Sequence, residues 1–258
     1  MPEILEVEMY RRGAEPVVGR TIAEVDAPDD WYVKGVAPDD LIGALTGARI
    51  EGTRRIGKLM LLDTSTEVLG LRYGMTGRLI VDEHAVIDAL EYSSKRLDPA
   101  WIRFRLTFEE GGTLVMNDPR RLGGISLAPD TSDLGPDAWT IGLSEFREIT
   151  AASRGAIKAL LLNQKRIAGL GNLLADELCW RTGVDPRRPS NEVAPDTVER
   201  VWEHLTPMLD ELYRRGGSHL GDHVEARAGD ALCPADGGQM AHDTVGGRST
   251  WWCPEHQV

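Results

Sequence analysis

The chain has 258 residues, 41% of them hydrophobic and 27% charged, with a formal net charge of −12. That length allows a sizeable core and more than one domain, and the composition is that of an ordinary globular chain. Three cysteines make no disulfide framework, no apolar run is long enough to span a bilayer, and the start carries no signal-peptide pattern, so a cytoplasmic protein without membrane attachment is expected.

In chain order, Ile4 and Val7 are three apart and Leu5 and Met9 four apart, which predicts a helix over 3–13. From about 20 to 127 the runs RTIAEV, KLMLL, EVLGL, RLIV, WIRFRLTF and TLVM read as short strands, and the alternation in WIRFRLTF followed by EEGG and TLVM reads as a hairpin. An antiparallel β sandwich or barrel is expected there. Residues 129–140 are rich in Pro, Asp and Gly and read as a linker. LSEFREITAA, AIKALLLN, NLLADELCW and the stretch 191–216 then supply helices. The last has an apolar stripe at Val198, Val201, Leu205, Met208 and Leu212, a kink expected at Pro207, and a stop at Gly216-Gly217. Cys179 lies in a helical pattern as a buried thiol. The fold class is therefore α+β and multidomain, divided as 1–133, 134–217 and 218–258.

The acidic charge argues against nucleic acid, which wants a positive surface. Against that, cations cluster at Arg54, Arg55 and Lys58, at Arg120 and Arg121, at Lys158, Lys165 and Arg166, at Arg187 and Arg188, and at Arg214 and Arg215. These are either solvated faces or parts of one groove, and composition favours the former.

The opening MPEILEVE carries possible chemistry. Removal of Met1 before a small residue exposes the Pro2 amine, and a neutral amine can attack an electrophilic carbon to form a Schiff base. Glu3 and Glu6 follow at helical spacing and can supply a proton. Taken alone, these residues are equally what any helix start prefers, and that simpler reading prevails.

KRIAGLGNLLADELCWRTGVDPRRPS changes the balance. It resembles the helix-two-turn-helix of the formamidopyrimidine-DNA glycosylase and endonuclease VIII family, closer to the formamidopyrimidine branch. Gly169, Gly171, Asn172, Asp176, Glu177, Gly183, Pro186 and Arg188 fall in the family's order. Glycines let such a turn approach a phosphate, and the next helix's N-terminus presents free N–H groups. MPEILEVE is similar to the family's MPELPEVE, RRIGKLMLL to its basic hairpin, RYGMTGRL to its GMTG turn, NDPRRLGGI to its DPRRFG, and CPADGGQMAHDTVGGRSTWWCPEHQ to its zinc finger.

The resemblance implies an N-terminal helix with an antiparallel β-sandwich, a helix-two-turn-helix domain, and a C-terminal β-hairpin zinc-finger-like tail. It implies a monomeric DNA repair enzyme, a glycosylase and abasic-site lyase on damaged or abasic double-stranded DNA, without a nucleotide cofactor. Pro2 would attack C1′, with Glu3, Glu6 and Lys58 completing the catalytic set. Met75, Arg120 and Leu122 would fill the hole left by the extruded nucleotide, while Asn172, Arg248 and Lys165 would grip DNA.

The sequence departs from the family pattern in places. The finger has Cys233, Asp236, Cys253 and His256 in place of four cysteines. Zinc accepts these ligand types, so one structural zinc is expected, bound less tightly and more acid-sensitively. His242 can replace Asp236, and His219 and His223 are more distant candidates; the alternative is a zincless finger packed around Trp251 and Trp252. The segment SHLGDHVEARAGDAL is shorter than the one carrying the family's 8-oxoguanine loop, which bears on substrate choice. Leu122 replaces phenylalanine, and Ile4-Leu5 replaces Leu-Pro. Two readings compete with the enzyme: a lesion-binding protein without base excision, and a non-DNA role on the same scaffold.

Overall fold

The computed structural model describes residues 2–88, 90 and 96–258 and forms two compact units, 1–131 and 132–258. Met1, whose removal bears on the Pro2 amine, lies outside the described residues. Among the described residues, no helix is long and apolar enough to cross a membrane.

The first unit opens with α1 (Ile4–Gly13), whose buried side includes Ile4, Leu5, Val7 and Tyr10. Among the described residues ten strands follow: β1 (Ile22–Asp26), β2 (Val33–Lys34), β3 (Ile50–Ile56), β4 (Leu59–Thr64), β5 (Val68–Arg72), β6 (Arg78–Val81), β7 (His84–Ala85), β8 (Ile102–Phe108), β9 (Thr113–Asn117) and β10 (Gly124–Leu127). A short helix, α2 (Pro38–Leu45), joins β2 to β3 and begins with proline at its first position, where no N–H is needed.

The strands make two five-stranded sheets, in the orders β1-β8-β9-β6-β7 and β2-β10-β5-β4-β3. All pairs are antiparallel except β2 with β10. Leu79, Leu106 and Met116 from the first sheet share one core with Met60, Leu62, Leu71 and Ile125 from the second, so the sheets form the expected sandwich. The alternation read in WIRFRLTF appears as inward Phe104, Leu106 and Phe108 on β8.

The second unit contains α3 (Leu143–Ala151), α4 (Ile157–Leu162), α5 (Asn172–Arg181), α6 (Pro195–Arg215) and a hairpin of β11 (Ala241–Val245) and β12 (Arg248–Trp252). Helix α6 starts later than the expected 191, because a 3-10 turn occupies Ser190–Glu192 and Pro195 begins the helix. It runs unbroken through Pro207, buries the predicted stripe, and ends at Gly216 with φ +116°, a left-handed conformation suited to glycine.

Candidate nucleic-acid interface and metal centre

Pro2 is buried immediately ahead of α1. The Glu3 backbone N–H donates to Glu6 Oε2 at 2.7 Å, and the Glu3 carboxylate accepts the Glu6 N–H, a reciprocal capping box. Both carboxylates are buried, Glu3 at 0% exposure. The residues suited to a helix start thus form a helix start, and the same bonds fix the Pro2–Glu3 peptide.

Helix α1 packs against β3 and β4, whose connecting turn carries half-buried Lys58. Glu8 pairs with Arg55 at 3.4 Å, and Arg11 donates to Thr53 Oγ1 at 3.2 Å, so charged bonds fasten the helix to that hairpin. Glu8 sits below the usual carboxylate range: burial raises it, but the Arg11, Arg12 and Arg55 guanidiniums outweigh that.

Met75 and Leu122 are held together by close backbone packing. A Cβ at Gly74 would lie 2.4 Å from the Leu122 carbonyl, and Gly74 has φ +56°, so only glycine fits there. The Asp118 carboxylate, fully buried, organises both turns. It accepts from Thr76 Oγ1 at 2.6 Å, the Arg120 N–H at 3.2 Å and the Gly123 N–H at 2.9 Å. Arg120 and Leu122 are exposed at the crest of this loop and Met75 is half-buried beside it. Arg121 takes φ +56° and donates two hydrogen bonds to Asp29, both at 2.6 Å.

In the second unit, Asn172 opens α5 and its Nδ2 donates to the Ser249 carbonyl at 3.1 Å, which sets it beside Arg248 at the start of β12. The turn before α5 is shaped by Gln164: its Oε1 accepts the Gly169 N–H at 2.9 Å, and its amide donates to the Leu162 and Leu170 carbonyls. Arg248 is exposed. Lys165 is exposed too but pairs with Asp133 at 2.8 Å, apart from Asn172 and Arg248 in these contacts.

Beneath the hairpin lies a buried charged cluster. Lys158 Nζ sits 2.6 Å from Asp176 Oδ1, both at 0% exposure, and donates to Thr250 Oγ1 at 2.6 Å and the Ser249 carbonyl at 3.1 Å. Arg227 pairs with the other Asp176 oxygen. Burial pulls Lys158 down and pushes Asp176 up, and their mutual attraction opposes both. The short segment after α6 is pinned to α5: Glu177 accepts the N–H groups of Asp222 at 3.1 Å and His223 at 2.9 Å, and Arg181 pairs with Asp222.

Cys233, Asp236 and Cys253 bring their ligand atoms within 4.8 Å of one another, a group able to hold a metal ion. The fit is supported by Gly238, where a Cβ would lie 2.9 Å from the Cys253 sulfur and 3.1 Å from Asp236 Oδ1. The Gly238 N–H fixes that oxygen at 2.8 Å, and the Trp180 indole N–H reaches the Cys233 sulfur at 3.4 Å. Burial pushes the Cys253 thiol up.

The expected fourth ligand, His256, is not among the three whose ligand atoms meet; its Nε2 lies 2.8 Å from the Trp180 carbonyl oxygen, which leaves Nδ1 as its ligand atom. His242 faces Ser249 Oγ at 2.8 Å and stacks on Trp251, and His223 is buried beside Trp180, so neither joins the group.

The family model for the formamidopyrimidine-DNA glycosylase N-terminal domain matches residues 1–125, and that for the formamidopyrimidine-DNA glycosylase H2TH domain matches residues 134–223. A formamidopyrimidine-DNA glycosylase of Paracoccus denitrificans is 33% identical, over 98% of this chain and 99% of that protein. The chain belongs to the formamidopyrimidine-DNA glycosylase family. A Bradyrhizobium member is 31% identical over the whole of both chains. The Lactococcus lactis Fpg solved with abasic-site DNA superposes at TM-score 0.82 with 25% identity, over 99% of each chain. The same Lactococcus protein solved with THF-DNA and an inhibitor gives 0.83, also at 25% identity, over all of both chains.

Within this glycosylase-family fold, sequence reasoning missed Asp118, Asp29 and Gln164 as organisers. Asp118 lay inside the matched NDPRRLGG, and its signal was an acidic residue opening a tight, glycine-ended loop. Lys158 was noticed only as a surface cation. Its signal was its place inside the apolar helical run AIKALLLN.

Proposed function

We propose that this chain is a bifunctional DNA glycosylase and abasic-site lyase that acts as a monomer on damaged or abasic double-stranded DNA. The observation that supports the reading most is the N-terminus: Pro2 directly precedes two buried carboxylates on a helix bonded to the Lys58 hairpin. The Pro2 nitrogen donates its lone pair to C1′ of the flipped nucleotide. The glycosidic bond breaks and the base leaves with that electron pair, protonated through the Glu3 carboxyl group. Opening of the C1′–O4′ bond gives a Schiff base, with the proton going to O4′. Loss of a C2′ proton then expels the 3′-phosphate, and water hydrolyses the Schiff base. Glu6 holds the Glu3 N–H and so orients the nucleophile. Lys58 meets phosphate beside the lesion.

Met75, Arg120 and Leu122 fill the vacated stack, and Asn172 and Arg248 grip phosphate, with Lys165 as a further cation. Cys233, Asp236, Cys253 and His256 would hold one structural zinc, which would stiffen the hairpin behind Arg248, apart from the bond-breaking steps. The parts 1–133, 134–217 and 218–258 divide these tasks as nucleophile and wedge, phosphate grip, and hairpin. The test is strand cleavage of a duplex with one abasic site. Pro2→Gly is expected to lower the rate by at least about a hundredfold; cleavage at the wild-type rate would remove Pro2 as nucleophile.

A further inference from the structure

Trp31 is 66% exposed, an unusual position for an indole. It lies in a 3-10 turn, Asp30–Tyr32, that leads into β2. Parallel pairing of Val33 with Ile125 sets that turn alongside the residues that open β10. The turn itself packs against β10.

Direct contacts fix the same neighbourhood. A Cβ at Gly123 would lie 2.4 Å from the Tyr32 hydroxyl, and one at Gly124 would lie 2.9 Å from Lys34 Cε. Asp29, two residues before Trp31, holds Arg121 through both carboxylate oxygens, beside Leu122. The turn and the wedge loop are therefore packed side by side and joined by the Asp29–Arg121 pair. Leu122 itself is 49% exposed. Lys34 Nζ rests 4.3 Å from the Trp31 ring centroid and donates to the Trp31 carbonyl, which holds the indole in place and adds positive charge beside it.

Given the wedge reading of Leu122, we infer that Trp31 is a stacking platform for the base left unpaired opposite the extruded or missing one. The physical case is complementarity. Removing a nucleotide leaves its partner base without a hydrogen-bonding mate, so that it can leave its own stack for another flat surface. An exposed, preordered indole next to the wedge offers a flat apolar surface at little entropic cost, and Lys34 faces the polyanion. Stacking is tolerant of base identity, so the site serves any opposite base.

The experiment uses full-length protein and a duplex with a tetrahydrofuran abasic analogue opposite 2-aminopurine, next to an undamaged duplex. Trp31 is exposed, so Trp31→Ala opens no core cavity, and Trp31→Phe keeps a ring. Wild type is expected to quench the 2-aminopurine. Trp31→Ala is expected to lose the quenching and about tenfold of the abasic-duplex affinity, within the range for one base–aromatic stack, while its affinity for undamaged duplex stays unchanged. Trp31→Phe keeps most of the affinity. Wild-type affinity and quenching in Trp31→Ala would overturn the inference, as would an equal loss on both duplexes. Failure of the wild type itself to bind the abasic duplex would overturn the functional reading and, with it, this one.

Discussion

Glu3 and Glu6 form a capping box, which is ordinary helix chemistry; under the proposed function the same bonds would aim the Pro2 peptide, so helix start and active site need not exclude each other. The residue types were legible in MPEILEVE; their burial was not, because it depends on strands fifty residues away. His223 shows the opposite case. It looked like a candidate ligand, yet it is 1% exposed, and burial, with Arg227 and Lys158 nearby, pushes its imidazole down to about 3 from 6.5. Unfolded chains protonate this residue below 6.5 and the folded protein does not until about 3. The unfolded state therefore binds more protons across that window, and stability falls as pH is lowered through it. His223→Gln should reduce the slope of unfolding free energy against pH by up to about 1.4 kcal/mol per pH unit between these values. Denaturant titrations at several pH values read this directly. Equal slopes in both proteins would mean that His223 titrates normally.

The hairpin and α5 behave as one element. Lys158 and Asn172 both donate to the Ser249 carbonyl, so the helix that offers Asn172 and the strand that offers Arg248 share a hinge-pin. Breaking a buried pair strands the remaining charge, and Lys158→Met should lower stability by about 3 kcal/mol, moderated by the Arg227 still facing Asp176. Unchanged urea unfolding would show that the cluster is not structural. The metal group belongs to this scale too. Cys-Pro repeats and a nearby acid were readable as ligands, and three of them meet. His256 fits a finger by its spacing, and its ring is held at Nε2 by the Trp180 carbonyl, a contact from a helix seventy-six residues away in sequence that no spacing could show. Protein prepared without added metal should carry about one zinc per chain, and chelation should alter the near-ultraviolet dichroism of Trp251 and Trp252. Metal-free protein with the native spectrum would favour a finger held by packing alone.

At the scale of the molecule, a net charge of −12 coexists with a DNA-enzyme scaffold because charge is spent locally. Arg54 pairs with Asp63, Arg121 with Asp29, Lys165 with Asp133, and Arg187 with Asp185. The clusters, open to reading as solvated faces or as one groove, are in good part paired with nearby acids. Element types were legible from apolar period and turn residues, and the sandwich followed from them. The parallel β2–β10 pair and α2 were not, since β2 has two residues and no pattern of its own. The proposed chemistry turns on a covalent bond between the Pro2 amine and an abasic sugar. Borohydride trapping on a duplex with one abasic site, read by intact mass and peptide mapping, detects that bond. One adduct per chain, on Pro2, is expected; firm binding of the duplex by protein lacking Met1, with no adduct or an adduct on a lysine, would rule it out.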